Sequence, residues 1–360
     1  MWTRLAKTAQ KFGLGAASAT QSVVLFDPSI VTRNIGDEII AEACTREIAE
    51  IFPEKFLCHA PTHESIGPRT YKLLHQSQLA LLAGSNLLTG RMFGDRGWRI
   101  DPKDLVFVSD LVAMAIGWRS YQPAPSWSSR LMLRRLLSRT WRHSVRDTYT
   151  AAIFGRLGFD NVLMTSCATM WRLTPQHLAG VPTHKAENVV FTLNSNKISE
   201  RDRVLIDCLK RHYKRLFFFP QGIDDIAYGR SLADGSFVQI DPSLQAFDRL
   251  LASDLDLDYV GLRLHGGIRA LQHQRRTLII SIDNRAREIA RDTGLPAVEQ
   301  DELDERLDSM LVEPRYTRLR IPFDAIETWK EQFKPVPIPA AAYGTLRDFA
   351  PSPPLPAEAM

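Results

Sequence analysis

The chain has 360 residues, 44% of them hydrophobic and 24% charged, the profile of a soluble globular protein long enough for more than one core, and no window approaches the ~20 apolar residues of a membrane span. Lys+Arg 45 against Asp+Glu 41 leaves +4, too small a surplus to argue for a nucleic-acid partner, so none is expected; an anionic small substrate fits that balance. Cys44, Cys58, Cys167 and Cys208 form no CxxC and no metal-ligand spacing, so buried thiols in a reducing compartment are expected, and no metal.

Residues 1–21 carry Arg4, Lys7 and Lys11 without a continuous apolar core, which fails as a secretory signal; a flexible arm is expected, with Trp2, Leu5 and Phe12 available to touch a membrane surface. Residues 22–26 read as a strand. The loop Asn34-Ile35-Gly36-Asp37-Glu38 then opens a helix with Ile40, Cys44, Ile48 and Ile51 on one stripe and Asp37 as its N-cap. Further strands are expected at 56–58, 79–83, 105–108, 112–116, 143–146 and 161–164, with Ala83-Gly84-Ser85-Asn86 and Thr165-Ser166-Cys167-Ala168-Thr169 as strand-end loops. Residues 128–141 read as a basic helix setting Arg130, Arg134, Arg135 and Arg139 among Leu131, Leu133, Leu136 and Leu137. It is either a docking face for acidic lipid or polymer, or the solvated face of an ordinary amphipathic helix. Asp147 caps a helix over 148–157, which leaves Arg146 at a strand end.

Residues 174–188, with two prolines, two histidines and little periodicity, read as a linker, after which strands and helices alternate again. The expected fold class is therefore α/β: two doubly wound, Rossmann-like domains at 22–173 and 189–312, facing each other across a cleft. A segment at 313–334 returns to the body with a helix over 323–333, and the tail 335–360, holding seven of the 21 prolines, is expected to be extended or disordered.

The second domain is organised around residues 258–296. A short buried strand there stops at Arg263-Leu264-His265-Gly266-Gly267, where two glycines allow close backbone approach to a ligand, and a second strand over 277–282 ends at Asp283-Asn284-Arg285, with Arg287 in the helix behind. If extended, residues 263 and 265 point to one side. Guanidiniums suit carboxylate or phosphate, and an imidazole titrating near neutrality can hand over a proton; the alternative is a structural arginine beside a capping histidine. The acidic Asp37 and Glu38 oppose an anion at the first loop, so sugar hydroxyls are the better partners there, with Asp37 as acceptor of a hydroxyl proton or as a plain cap. No GxGxxG, Walker loop or HExxH occurs.

The order and spacing of Asn34-Ile35-Gly36-Asp37-Glu38, Ser144-Val145-Arg146-Asp147 and Gly261-Leu262-Arg263-Leu264-His265-Gly266 resemble the polysaccharide pyruvyl transferase family over residues 23–296. The resemblance implies a fold similar to GT-B glycosyltransferases, phosphoenolpyruvate as donor and no other cofactor. It also implies a pyruvate ketal on a sugar of a bacterial exopolysaccharide, cell-wall polymer or lipid-linked oligosaccharide. Arg146 and Arg263 would then hold the donor, with Leu264, Arg285 and Arg287 beside it, and His265 would be the general acid. Asn34, Gly36, Asp37, Ser85 and Asn86 would face the acceptor. The departures from the family pattern, at 83–86 and 166–169, fall on the acceptor side. Two other functions fit the same fold: a GT-B glycosyltransferase using a nucleotide sugar, and a non-catalytic glycan-binding or assembly protein. The expected location is the cytoplasm, free or at the inner face of the membrane.

Overall fold

The computed structural model describes residues 21–94 and 97–334; the first 20 residues of the expected arm and the proline-rich tail lie outside them. Two parallel sheets of six strands carry the fold. The first contains β1 (Ser22–Asp27), β2 (Phe56–Pro61), β3 (Leu79–Leu88), β4 (Val112–Trp118), β5 (His143–Val145) and β6 (Val162–Met164), in the order β2-β1-β3-β4-β5-β6. The second contains β7 (Asn188–Thr192), β8 (Arg215–Phe218), β9 (Val238–Gln239), β10 (Leu257–Gly261), β11 (Thr277–Ser281) and β12 (Ala297–Glu299), in the order β12-β11-β10-β7-β8-β9. Strands such as β1, β7 and β11 are continuous apolar runs because helices cover both faces of each sheet.

In the first lobe the helices are α1 (Ile35–Ile51), α2 (Pro68–Gln76), α3 (Trp127–Leu136) and α4 (Thr148–Leu157), and α5 (Pro175–Leu178) sits in the crossing between lobes. The second lobe adds α6 (Arg201–His212), α7 (Asp225–Leu232), α8 (Leu244–Leu251), α9 (Leu264–Gln272), α10 (Asn284–Thr293) and α11 (Leu303–Val312). Finally α12 (Phe323–Glu331) returns to the first lobe, where Trp329 is fully buried with its ring centroid 5.6 Å from that of Trp171, and Lys330 pairs with buried Glu47 at 2.8 Å.

Strand order reverses between β1 and β3 in the first sheet and between β7 and β10 in the second. Loops leaving such neighbours diverge and open a crevice at the carboxyl edge. The two crevices face each other. Their floor is stitched by backbone hydrogen bonds between lobes: Ile35 N donates to Gln221 O at 2.9 Å and Ile223 N to Arg33 O at 3.0 Å, an isolated antiparallel bridge at Asn34 and Gly222.

Three sequence expectations are corrected. Residues 105–108 are not a strand: a 3-10 turn spans Asp104–Val106, because the buried Asp104 carboxylate accepts from Asp101 N at 2.7 Å and from the Tyr71 hydroxyl, curling the chain. The N-cap of α1 is Asn34, whose Oδ1 accepts from Gly36 N at 3.1 Å; Asp37 lies in the first turn with its carboxylate free of capping. The 263–267 segment is not an extended loop, since α9 begins at Leu264. Its two glycines serve helix-on-sheet packing: a Cβ on Gly266 would lie 2.9 Å from the Tyr259 hydroxyl, and one on Gly267 would lie 2.0 Å from Ile279 Cδ1.

Gly261 is the tightest point of the second switch. A Cβ there would stand 2.7 Å from Thr192 N and 2.9 Å from Thr192 O, so β7 and β10 would be forced apart where both enter the cleft. Gly261→Ala is expected to cost about 1–3 kcal/mol in urea unfolding, although alanine normally suits a strand no worse than glycine. An unchanged midpoint would show that the strands have room to give.

Candidate active site

The cleft between the lobes holds two adjoining hollows of about 560 and 650 Å3, which share Asn34, Asp37, His63, Lys197, Asp283 and Arg285. Four helix N-termini reach it, those of α1, α7, α9 and α10, so partial positive charge is concentrated there before any side chain is counted. Two non-glycine residues with left-handed backbone, Val31 (φ 58°) and Ser85 (φ 120°), line the hollows. Strain of this kind concentrates where geometry is held for use.

Arg146 leaves the end of β5 and is buried, 1% exposed. Its Nη2 donates to Asn86 Oδ1 at 2.6 Å and its Nε to Asp147 Oδ2 at 3.3 Å, but Nη1 has no partner among the described residues. Space for the guanidinium exists only because residue 117 is glycine: a Cβ there would lie 2.1 Å from Nη2. Asn86 reaches the guanidinium from β3, across the first sheet.

His265, in the first turn of α9, is 4% exposed, and its Nε2 is 3.8 Å from Cys167 Sγ. Burial pushes its pKa down from 6.5 to about 3, and the charges of Arg285 and Arg146 push the same way, with Asp283 opposing. The imidazole is thus neutral at pH 7 and placed close to two guanidiniums. Arg285 is steadied by Asp283, whose Oδ2 accepts from its Nε at 3.0 Å and its Nη2 at 2.6 Å, while Asp283 Oδ1 caps α10.

Opposite them Asp37 receives the Thr32 hydroxyl at 2.7 Å. Burial raises its pKa, against the lowering effects of Thr32, His63 and Arg285. Asn34 Oδ1 also accepts from Gln221 Nε2 at 3.1 Å, and Gly36 leaves the space that Gln221 fills.

The remaining expected residues fall at different distances from this centre. Arg263 lines the first hollow but is held in a buried pair with Asp225, Nη2 to Oδ1 at 2.5 Å and Nε to Oδ2 at 3.0 Å, and its Nε also reaches Leu193 O. Asp225 in turn accepts from the backbone of Ser195 and Gly222. Arg263 therefore fastens three cleft loops together. Leu264 is buried beneath the site, and Ser85 and Asn86 line the second hollow. Arg287, on its rim, pairs with Glu299 at 2.6 Å and is half-exposed. Sequence reasoning missed Asp225, Gln221, Gly117 and Lys197. Only the strand-end triplet Pro220-Gln221-Gly222 offered a local signal for any of them.

Paired crevices at facing switch points of two parallel sheets define an α/β fold of GT-B-like type. Residues 34–284 match the model of the polysaccharide pyruvyl transferase family, and the chain belongs to that family. Among solved structures, the UDP-GlcNAc 2-epimerase of Methanocaldococcus jannaschii, in complex with UDP-GlcNAc and UDP, is similar in fold, with a TM-score of 0.51 at 11% identity over 86% of this chain and 97% of that one. The MnaA protein of S. aureus with UDP (TM-score 0.45, 12% identity, 82% and 92% covered) and the wall teichoic acid polymerase TagF (0.43, 11%, 91% and 85%) are more distant matches. No curated protein matches the chain significantly.

Two outcomes follow from this geometry. Gly117→Ala displaces the Arg146 guanidinium, so affinity for an anionic ligand of the cleft is expected to fall at least tenfold, the loss of one charge-assisted hydrogen bond of roughly 1.5–3 kcal/mol; calorimetric titration with phosphate as the probe anion measures it, and unaltered affinity would remove Arg146 from the site. The second concerns pH. His265 has a folded pKa below its unfolded 6.5, so the stability it confers is complete above 6.5 and is lost as pH falls toward 3. Relative to His265→Gln, the unsubstituted protein should lose up to about 1.4 kcal/mol per pH unit below that point, read from urea midpoints; parallel curves would mean a solvated ring.

Proposed function

We propose that the protein transfers the enolpyruvyl-derived group of phosphoenolpyruvate to a glycan or lipid-linked oligosaccharide and closes it into a pyruvate ketal. The observation that supports this reading is the buried Arg146 whose Nη1 is unpartnered among the described residues, with its charge and that of the cleft-lining Arg285 both acting on the buried, neutral His265. Such a centre has spare positive charge and a proton carrier, which matches a small, multiply anionic enol ester.

The chemistry balances as follows. A proton from His265 reaches the methylene carbon of the donor and leaves a cationic carbon bearing carboxylate and phosphate. A sugar hydroxyl attacks that carbon and gives its proton to a base, the role this reading assigns to Asp37, whose pKa is raised by burial. The carbon–oxygen bond to phosphate breaks, the guanidiniums stabilise the departing charge, and a second hydroxyl closes the ring. Of the two hydroxyl protons, one replaces that spent on the methyl group and the other leaves with phosphate.

A neutral imidazole must be protonated before it can act, and the donor's own negative charge supplies the means. Carboxylate and phosphate near His265 oppose Arg146 and Arg285 and raise its pKa, so substrate arrival loads the acid. Donor binding is therefore expected to take up a proton near pH 7, seen as a dependence of binding enthalpy on buffer ionisation. His265→Ala should bind the donor within about tenfold of the parent yet release phosphate roughly 100- to 10,000-fold more slowly in the presence of acceptor glycan. Near-normal turnover in that variant, or nucleoside diphosphate release from a nucleotide sugar in place of phosphate release, would overturn the reading.

A further inference from the structure

We infer that α3 and the turn beside it form a docking surface for an anionic phospholipid bilayer. Three features of the surface support this. Trp127 and Leu131, one helical turn apart, are 78% and 57% exposed, and Phe93 is 47% exposed on the adjoining turn, which is tied to α3 by Met92 N donating to Ser129 Oγ at 2.9 Å. Around these apolar groups Arg130, Arg134 and Arg135 are exposed, and none is in an ion pair among the described residues. The inward face of α3, with Met132, Leu133 and Leu136, is fully used in the core, so the outward face is additional to what folding requires.

Large apolar side chains ringed by unpaired arginines on a surface helix suit the interface of an acidic membrane, where the rings enter the headgroup boundary and the guanidiniums meet phosphate. A soluble polyanion would satisfy the arginines but leave Trp127 and Leu131 in water. A second copy of the chain, meeting this face about a two-fold axis, would set the three arginines against their own images.

The helix also has a definite direction relative to the cleft. Arg119 and Tyr121, which line the second hollow, lead directly into it, and Ser126 N is fixed to Gly90 O at 3.0 Å at the carboxyl edge of the sheet. At its other end Leu136 O accepts from Leu111 N, beside the start of β4. Seated on a bilayer by Trp127, the molecule holds its cleft mouth next to the lipid surface, within reach of a sugar carried on a lipid. The docking itself does not depend on which group is transferred.

The test uses the full chain with phosphatidylglycerol-rich vesicles and with pure phosphatidylcholine vesicles, in a salt series. Binding is expected to the first only and to weaken with salt. The triple variant Arg130→Gln, Arg134→Gln, Arg135→Gln should partition roughly 100-fold less, and Trp127→Ala with Leu131→Ala should lower partitioning at unchanged melting temperature. Brominated lipid should quench Trp fluorescence of the parent more than that of Trp127→Phe, a comparison that survives if either multiple variant fails to fold. The inference is overturned if the chain ignores acidic vesicles, if the variants partition like the parent, if quenching is equal, or if Trp127→Ala with Leu131→Ala merely converts a dimer to a monomer.

Discussion

The structure depends on the short backbone bridge between Asn34 and Gly222. Among the described residues it is the one place where main chain from both lobes hydrogen-bonds across the cleft floor, and it sits at the start of α1 on one side and just beyond β8 on the other. Gly222 can occupy it because it carries no side chain: a Cβ would stand 2.7 Å from Arg263 Nη2. Its own N–H is taken by Asp225, which also binds Arg263 and the Ser195 turn. One buried ion pair thus ties the loops after β7, β8 and β10 to each other and, through the bridge, to the first lobe. A buried pair of this kind adds little net stability over an apolar substitute, yet removing one partner leaves an uncompensated charge at a cost of roughly 3–5 kcal/mol. Its role here is to fix position.

The electrostatics of the cleft follow from that fixed frame. Arg263 is neutralised by Asp225 and Arg287 by Glu299, whereas Arg146 keeps an unpartnered N–H and Arg285 faces Asp37 as well as its own cap. Burial keeps the His265 ring neutral, and the charges of Arg285 and Arg146 add to that effect. Asp37 is under the complementary influence: burial favours its protonated form, while Arg285 and His63 favour the carboxylate.

Much of the fold was legible in the chain because parallel strands buried on both faces are unbroken apolar runs, such as Val23 to Phe26 and Leu278 to Ile280. Polar, glycine-containing turns marked their ends. The start of α9 was not legible, since Gly266-Gly267 read locally as a loop, and only the approach of Tyr259 and Ile279 explains why glycine occupies a helix there. The same limit applied to the site. Residues 34–37, 146, 263–265 and 285 could be picked out from strand-end position and chemistry. The partner of Arg263 stands 38 residues upstream on a helix whose own pattern gives no hint of it, and Gly117 acts only through the volume it leaves empty. Absence of a side chain carries no chemical signature in a sequence.

The last helix bears on how the protein could be divided. Because α12 crosses back and seats Trp329 against Trp171 with Phe333 beside it, the first lobe is completed by residues that are synthesised after the second. A fragment ending before residue 323 would leave an open aromatic socket, and a ribosome must finish the whole polypeptide before the amino-terminal half can close its core. Engineers wishing to exchange one lobe between relatives would need to transplant three stretches of chain in place of two.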